Sequence, residues 1–173
     1  MKLEKQQQIL GCMADVLNQN GFRAEVMQQE GSPLLLRCEA MRQGKVQKDV
    51  TIESCFIPIA LPAEETGLLQ FFVTLFTGVP ETNFRHVKAA CEYCNDFCAL
   101  GHFGFFADAG QIYLKHTTLI DASLDLEKVI TFFADNISVL MASVTRFIDG
   151  LASVGFSGMP LEAAIEQELL PKL

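Results

Sequence analysis

TGLLQFFVTLFT, residues 66–77, carries seven large apolar side chains among its twelve residues. Leu69, Phe71, Val73 and Leu75 fall on one face of an extended chain, and Leu68, Phe72 and Phe76 load the other. Its β-branched and aromatic content favours a strand over a helix. A strand apolar on both faces needs cover on both. A helix of the same chain or a second subunit could supply the second cover, so Leu68, Phe72 and Phe76 are candidates for a subunit or partner interface.

Working backwards, three segments of period two precede it. Phe22, Ala24 and Val26 alternate with Arg23 and Glu25. Leu34, Leu36, Cys38 and Ala40 alternate with Arg37 and Glu39. Val50, Ile52 and Phe56 alternate with Asp49, Thr51 and Glu53. Glu30-Gly31-Ser32-Pro33 and Gln43-Gly44 between them predict hairpin turns, which makes residues 22–77 an antiparallel meander. Before the meander, Leu3, Ile9, Leu10, Met13, Val16 and Leu17 recur at helical spacing over residues 2–20. Gly21 stops that helix in the left-handed cap conformation, with Phe22 folding back on the last turn.

Working forwards, residues 82–99 read as a helix and 102–117 as a hairpin turning at Ala109-Gly110. A long helix over 124–153 follows, with Asp125 and Glu127 in its first turn, where carboxylates favour the helix dipole. Its stripe runs Leu126, Val129, Ile130, Phe133, Ile137, Leu140, Val144, Phe147 and Leu151. Pro160 opens a short acidic tail helix over 160–170. No repeat or linker is evident. The expectation is a single α+β domain over 1–173, an antiparallel sheet with flanking helices in the order α-β-β-β-β-α-β-β-α plus the tail helix.

Composition supports a packed core. Half of the 173 residues are hydrophobic and a fifth are charged, with 14 Phe, two Tyr and no Trp. The formal net charge of −8 argues against non-specific nucleic-acid binding, which needs a cationic surface to displace counterions. It argues equally against anionic membranes. Met1–Gln8 lacks the apolar core of a signal peptide, and Leu68–Val79 falls short of the ~20 residues of a membrane span. Six scattered Cys then suggest reduced thiols in the cytoplasm.

CEYCNDFC, residues 91–98, is the one stretch that looks like chemistry. Phe84, Val87, Cys91, Cys94 and Cys98 step by threes and fours, the spacing of a buried helix face on which Cys packs as a small apolar side chain. On a continuous helix, seven residues separate Cys91 from Cys98 by a rise of ~10 Å. Two sulfurs on one zinc lie at most ~4.6 Å apart. Three thiols of an intact helix therefore cannot share one metal, and no second CxxC or paired His follows. A redox thiolate would sit exposed at a helix N-terminus rather than mid-helix. Gly155-Phe156-Ser157-Gly158 is one residue short of a nucleophile elbow and reads as a helix-to-helix turn, and local sequence spacing does not point to a catalytic carboxylate or hydroxyl for His86, His102 or His116. Neither a catalytic residue nor a cofactor nor a metal is expected.

CNDFCALGHFGFFADAGQIYL, residues 94–114, carries a helix into a hairpin. Together with the element order, it resembles the YbjN-type bacterial proteins, which share the fold of the type III secretion chaperones. In that family an Asn-bearing helix runs into a Gly-and-Phe strand, a turn and a second strand. Asn95, Gly101, Phe103, Phe105, Asp108 and Gly110 stand in those places over a match of roughly residues 3–150. The resemblance implies a small acidic α+β domain, often dimeric, that binds protein partners and brings no enzymatic residues. The expected function is a non-catalytic protein-binding domain, chaperone-like or regulatory, acting as a bacterial cytoplasmic homodimer. A binder of a small apolar ligand in a Phe-lined pocket and a thiol-based redox sensor using Cys91, Cys94 and a distant Cys remain as alternatives.

Overall fold

The computed structural model describes residues 1–28 and 31–172. The first helix, α1 (Leu3–Gln19), ends as its sequence dictates. Gly21 adopts φ 83°, its N–H bonds to the Asn18 carbonyl, and the Phe22 N–H reaches back to Leu17 at 3.1 Å. These are the paired bonds of a Schellman cap. The meander follows as β1 (Arg23–Met27), β2 (Leu35–Gln43), β3 (Lys48–Ile57) and β4 (Thr66–Phe76). Of the expected turn at residues 30–33, Glu30 lies outside the described residues.

A one-turn 3₁₀ segment, Glu81–Asn83, leads into α2 (Phe84–Asn95). The hairpin β5 (His102–Phe106) and β6 (Gln111–Asp121), the long α3 (Leu126–Ser157) and the short α4 (Leu161–Glu166) complete the chain. The six strands form one antiparallel sheet in the order β1-β2-β3-β4-β6-β5, so the fold is α+β with flanking helices. The meander is consecutive, and the later hairpin joins it through β6.

Four elements differ clearly from the bounds read in the sequence. The segment 82–99 is helical only to Asn95, because the helix ends where its Asn side chain turns to the next strand. β6 continues past residue 117 to Asp121, held at its end by the Ala122 N–H on the Glu65 carbonyl at 2.9 Å. The helix read over 124–153 starts at Leu126 and runs on to Ser157, because Gly150 and Gly155 are packing positions rather than stops. A Cβ at Gly150 would come within 2.5 Å of the Leu170 side chain and 2.7 Å of the Leu169 carbonyl. The tail helix shortens correspondingly to Leu161–Glu166.

The chain gathers into two compact units, each of three segments: Met1–Ala40, Thr51–Phe72 and His116–Ser138 in the first, and Met41–Val50, Val73–Lys115 and the chain from Val139 in the second. The first buries Ile9, Leu10, Met13 and Leu17 of α1, Leu36, Cys38, Ile52, Phe56 and Leu69 of the sheet, and Phe133 of α3. Phe71 and Phe133 meet edge to face at 5.1 Å. The second buries Val73, Leu75, Val87, Ile112, Leu114, Val144, Phe147 and Leu151, with Phe103 edge to face on Phe147 at 5.6 Å. Here the β2–β3 turn is tied to α3. The Asp149 carboxylate accepts from the Lys45 and Val46 N–H groups at 3.0 and 2.9 Å.

One device occurs twice. In the first unit the Asn18 amide donates to the Ala24 carbonyl and accepts from the Ala24 N–H, both at 2.9 Å. In the second, Asn95 does the same to Phe103, donating at 3.1 Å and accepting at 2.6 Å. Each Asn closes a last helical turn, and each clasped residue lies on an edge strand of the sheet. An edge strand exposes N–H and C=O groups that template unwanted pairing. The clasps occupy that pair of groups at one position on each edge.

Candidate functional site

The thiols come first. Cys91 and Cys94 lie on the buried face of α2 beside Val87 and Ala90. Cys98 stands beyond the helix end, half-buried, its thiol 3.4 Å from the Cys94 carbonyl. The continuous-helix spacing expected for all three therefore stops at Cys94. Burial pushes the Cys91 thiol up to about 12. Burial also raises Cys94 strongly, with its thiol neighbours Cys91 and Cys98 adding and Arg146 opposing. Arg146 itself lies over the Phe97 and Phe147 rings at 5.5 and 5.2 Å. Raised thiols are poor nucleophiles and poor metal ligands, since both roles need the thiolate. Among the described residues, no group of three or more His, Cys, Asp or Glu is placed to hold a metal ion. His86 and His102 are exposed, and His116 is stacked on Phe71 at 6.1 Å.

The three interface candidates of β4 meet different fates. Burial alternates along the strand, with Leu69, Phe71, Val73 and Leu75 fully inside. Leu68 and Phe72 on the opposite face are half-buried, as are Thr51, Glu53 and Cys55 on the neighbouring β3. Phe76, at the strand end, is 7 % exposed and lies edge to face on Phe156 of α3 at 5.4 Å. The chain's own helix thus covers Phe76. Leu68 and Phe72 are left on an incompletely covered sheet face.

A more exposed apolar surface lies on the first half of α3 and on the end of β6 and the turn that lead into it. Leu119, Leu124 and Phe132 are 57, 52 and 47 % exposed. They line an open groove of ≈ 320 Å³ with Val129 and Lys128. On the other side of the helix, Leu126, Ile130 and Ala134 face Cys12 and Val16 of α1 across an open groove of ≈ 530 Å³. Glu127, Thr131 and Asp135 line this second groove and also share a polar depression with Lys128 and Phe132 of the first. Sequence reading assigned Leu126 and Ile130 to the core stripe and did not single out Phe132. The available signal was width: Leu126, Val129, Ile130, Phe132 and Phe133 spread over more of the helix than one covered face needs.

By length and composition α3 is also long and apolar enough to cross a membrane, but half of its most apolar window is buried within the chain, as in the core helix of a globular protein. A third, polar groove of ≈ 350 Å³ beside the Asn18 clasp is lined by Arg23, Glu25, Arg37 and Glu39. In the β1–β2 register Arg23 faces Glu39 and Glu25 faces Arg37, so opposite charges pair across the strands. That charge pattern is accounted for within the sheet.

No protein-family model and no curated protein matches the chain.

Proposed function

We propose that this chain is a non-catalytic protein-binding domain, chaperone-like or regulatory, acting as a homodimer in the cytoplasm. The observation that carries the reading is the exposed apolar surface of α3 and its approach: Leu119, Leu124 and Phe132 stand about half out of the chain. Contiguous exposed apolar surface beside polar residues is characteristic of protein interaction sites. The grooves there are open, which suits a partner surface better than an enclosed small-molecule site. Phe71, Phe133, Phe103 and Phe147 fill the interior by packing on one another, which speaks for a filled core over a Phe-lined ligand pocket. The half-buried Leu68 and Phe72 offer a second surface, which we assign to the dimer contact. Six unpaired cysteines fit a reducing compartment, and the resemblance to the YbjN-type proteins points the same way.

Photo-cross-linking residues at positions 132 and 72, introduced in the producing cell, test this reading. Position 132 should give a discrete adduct heavier than twice the chain, and position 72 a chain–chain adduct. Absence of any protein adduct at both positions would refute it.

A further inference from the structure

We infer that the groove between α1 and the first half of α3 receives a basic amphipathic helix of a partner protein. The inference rests on the protein-binding reading above and names the segment bound. Two ridges of four-residue spacing make the walls: Cys12 and Val16 on α1, and Leu126, Ile130 and Ala134 on α3. All five are half-buried, so apolar surface is laid open rather than filled. Side chains spaced by four form the ridges between which a neighbouring helix packs. Two such rows side by side accept the apolar stripe of a third helix. An extended peptide would bring unpaired N–H and C=O groups against the same apolar walls.

Charge decides the polarity of the occupant. Glu127 and Asp135 line the groove itself, and Thr131 between them turns its hydroxyl back to the Glu127 carbonyl at 2.9 Å. Asp121 at the end of β6 and Asp125 just ahead of α3 add to this charge, and among the described residues Lys128 is the one cation lining these grooves. Carboxylates in a first helical turn are favoured by the helix dipole alone. Asp135, more than two turns along α3, lies beyond that effect. A second copy docking through the same patch would set these carboxylates against their own kind, and like charges across an interface are strongly unfavourable. An anionic membrane would be repelled as well. A helix with Leu-type residues on one face and Lys or Arg on its flanks satisfies both the groove and its rim.

The probe is a labelled Leu/Lys amphipathic peptide of about 18 residues, ~five helical turns, with a Leu/Glu peptide of the same pattern as control. Titration into the full chain, read by fluorescence anisotropy and circular dichroism, should show saturable one-to-one binding and induced helix with the Leu/Lys peptide only. Glu127→Lys combined with Asp135→Lys, both at exposed positions, should weaken binding about tenfold or more. Ala134→Arg, which projects into the groove, should abolish it. Should that variant fail to fold, the charge-reversal pair still decides the matter. No saturable binding overturns the inference. So does equal binding of the Leu/Glu peptide, or binding that survives the pair but falls with Glu4→Lys in the first turn of α1, two turns before Cys12. These failures are separable from failure of the parent reading. A chain indifferent to the peptide that still cross-links to proteins loses only the groove assignment, whereas one that forms no protein adduct loses both.

Discussion

Replacing Asn95 with Ala removes two hydrogen bonds at once, the 3.1 Å donation to the Phe103 carbonyl and the 2.6 Å acceptance from its N–H. Each is worth about 1 kcal/mol net, which gives ~2 kcal/mol. Phe103 is only 3 % exposed, so water replaces the lost partners poorly, and an unsatisfied backbone group costs roughly another 1–3 kcal/mol. The expected loss is therefore about 3–5 kcal/mol. Asn18→Ala removes the same two bonds from Ala24, both at 2.9 Å, but that clasp is exposed to solvent. Water takes over there, and the expected loss is about 1 kcal/mol. Urea unfolding followed by far-ultraviolet circular dichroism measures both, and the comparison holds if the slopes stay equal. Asn95→Asp keeps the acceptor, loses the donor and sets a carboxylate against the Phe103 carbonyl, so it should recover little. Equal costs for the two Ala variants, or a loss under ~0.5 kcal/mol at Asn95, would refute burial as the source of the difference.

Phe133→Ala empties a fully buried site against the Phe71 ring and should cost about 3–5 kcal/mol in the same assay. Ser54 of β3 faces the core, and among the described residues its buried hydroxyl has no hydrogen-bond partner. Ser54→Ala should therefore be neutral or stabilising by up to about 1 kcal/mol, whereas a loss beyond that would show the hydroxyl is satisfied. The Cys91 thiol is raised by burial from 9.0 to about 12, so the folded state holds its proton more tightly than the unfolded state. Its contribution is complete below pH 9 and is lost as pH rises from there toward 12. Thermal melts should fall over that window, less steeply in Cys91→Ala, and native alkylation of Cys91 and Cys94 should be slow until the chain unfolds.

Much of this architecture is legible in the sequence because local chemistry dictates it. Period-two segments became strands, and the Asn20-Gly21-Phe22 stop became a cap with its expected bonds. Asn95, singled out within the helix-to-hairpin stretch, clasps the following strand. What stayed hidden depends on distant partners. Asp149 caps a turn more than a hundred residues earlier, and no local pattern marks it. Gly155 lies beyond the helix end read at residue 153 but stands inside α3, with Ile112, Val79 and Val87 at 3.4–3.6 Å of where a Cβ would sit. The Asn18 and Asn95 clasps went unpaired in sequence because the intervals from Asn to clasped residue differ, six and eight residues. The candidate surface was read only in part. Alternation along β4 correctly separates its two faces. It cannot tell that Phe156 covers Phe76 while Leu126 and Ile130, which share the stripe of buried Phe133, remain half open. Spacing assigns a face; only tertiary packing decides how much of it is covered.

Whether this chain's exposed apolar surface meets protein is decided by native mass spectrometry of the purified chain and its Phe72→Asp variant. A species of twice the chain mass with no small molecule retained is expected, converted by Phe72→Asp into a folded monomer. A wild-type monomer carrying a bound small apolar molecule would contradict it.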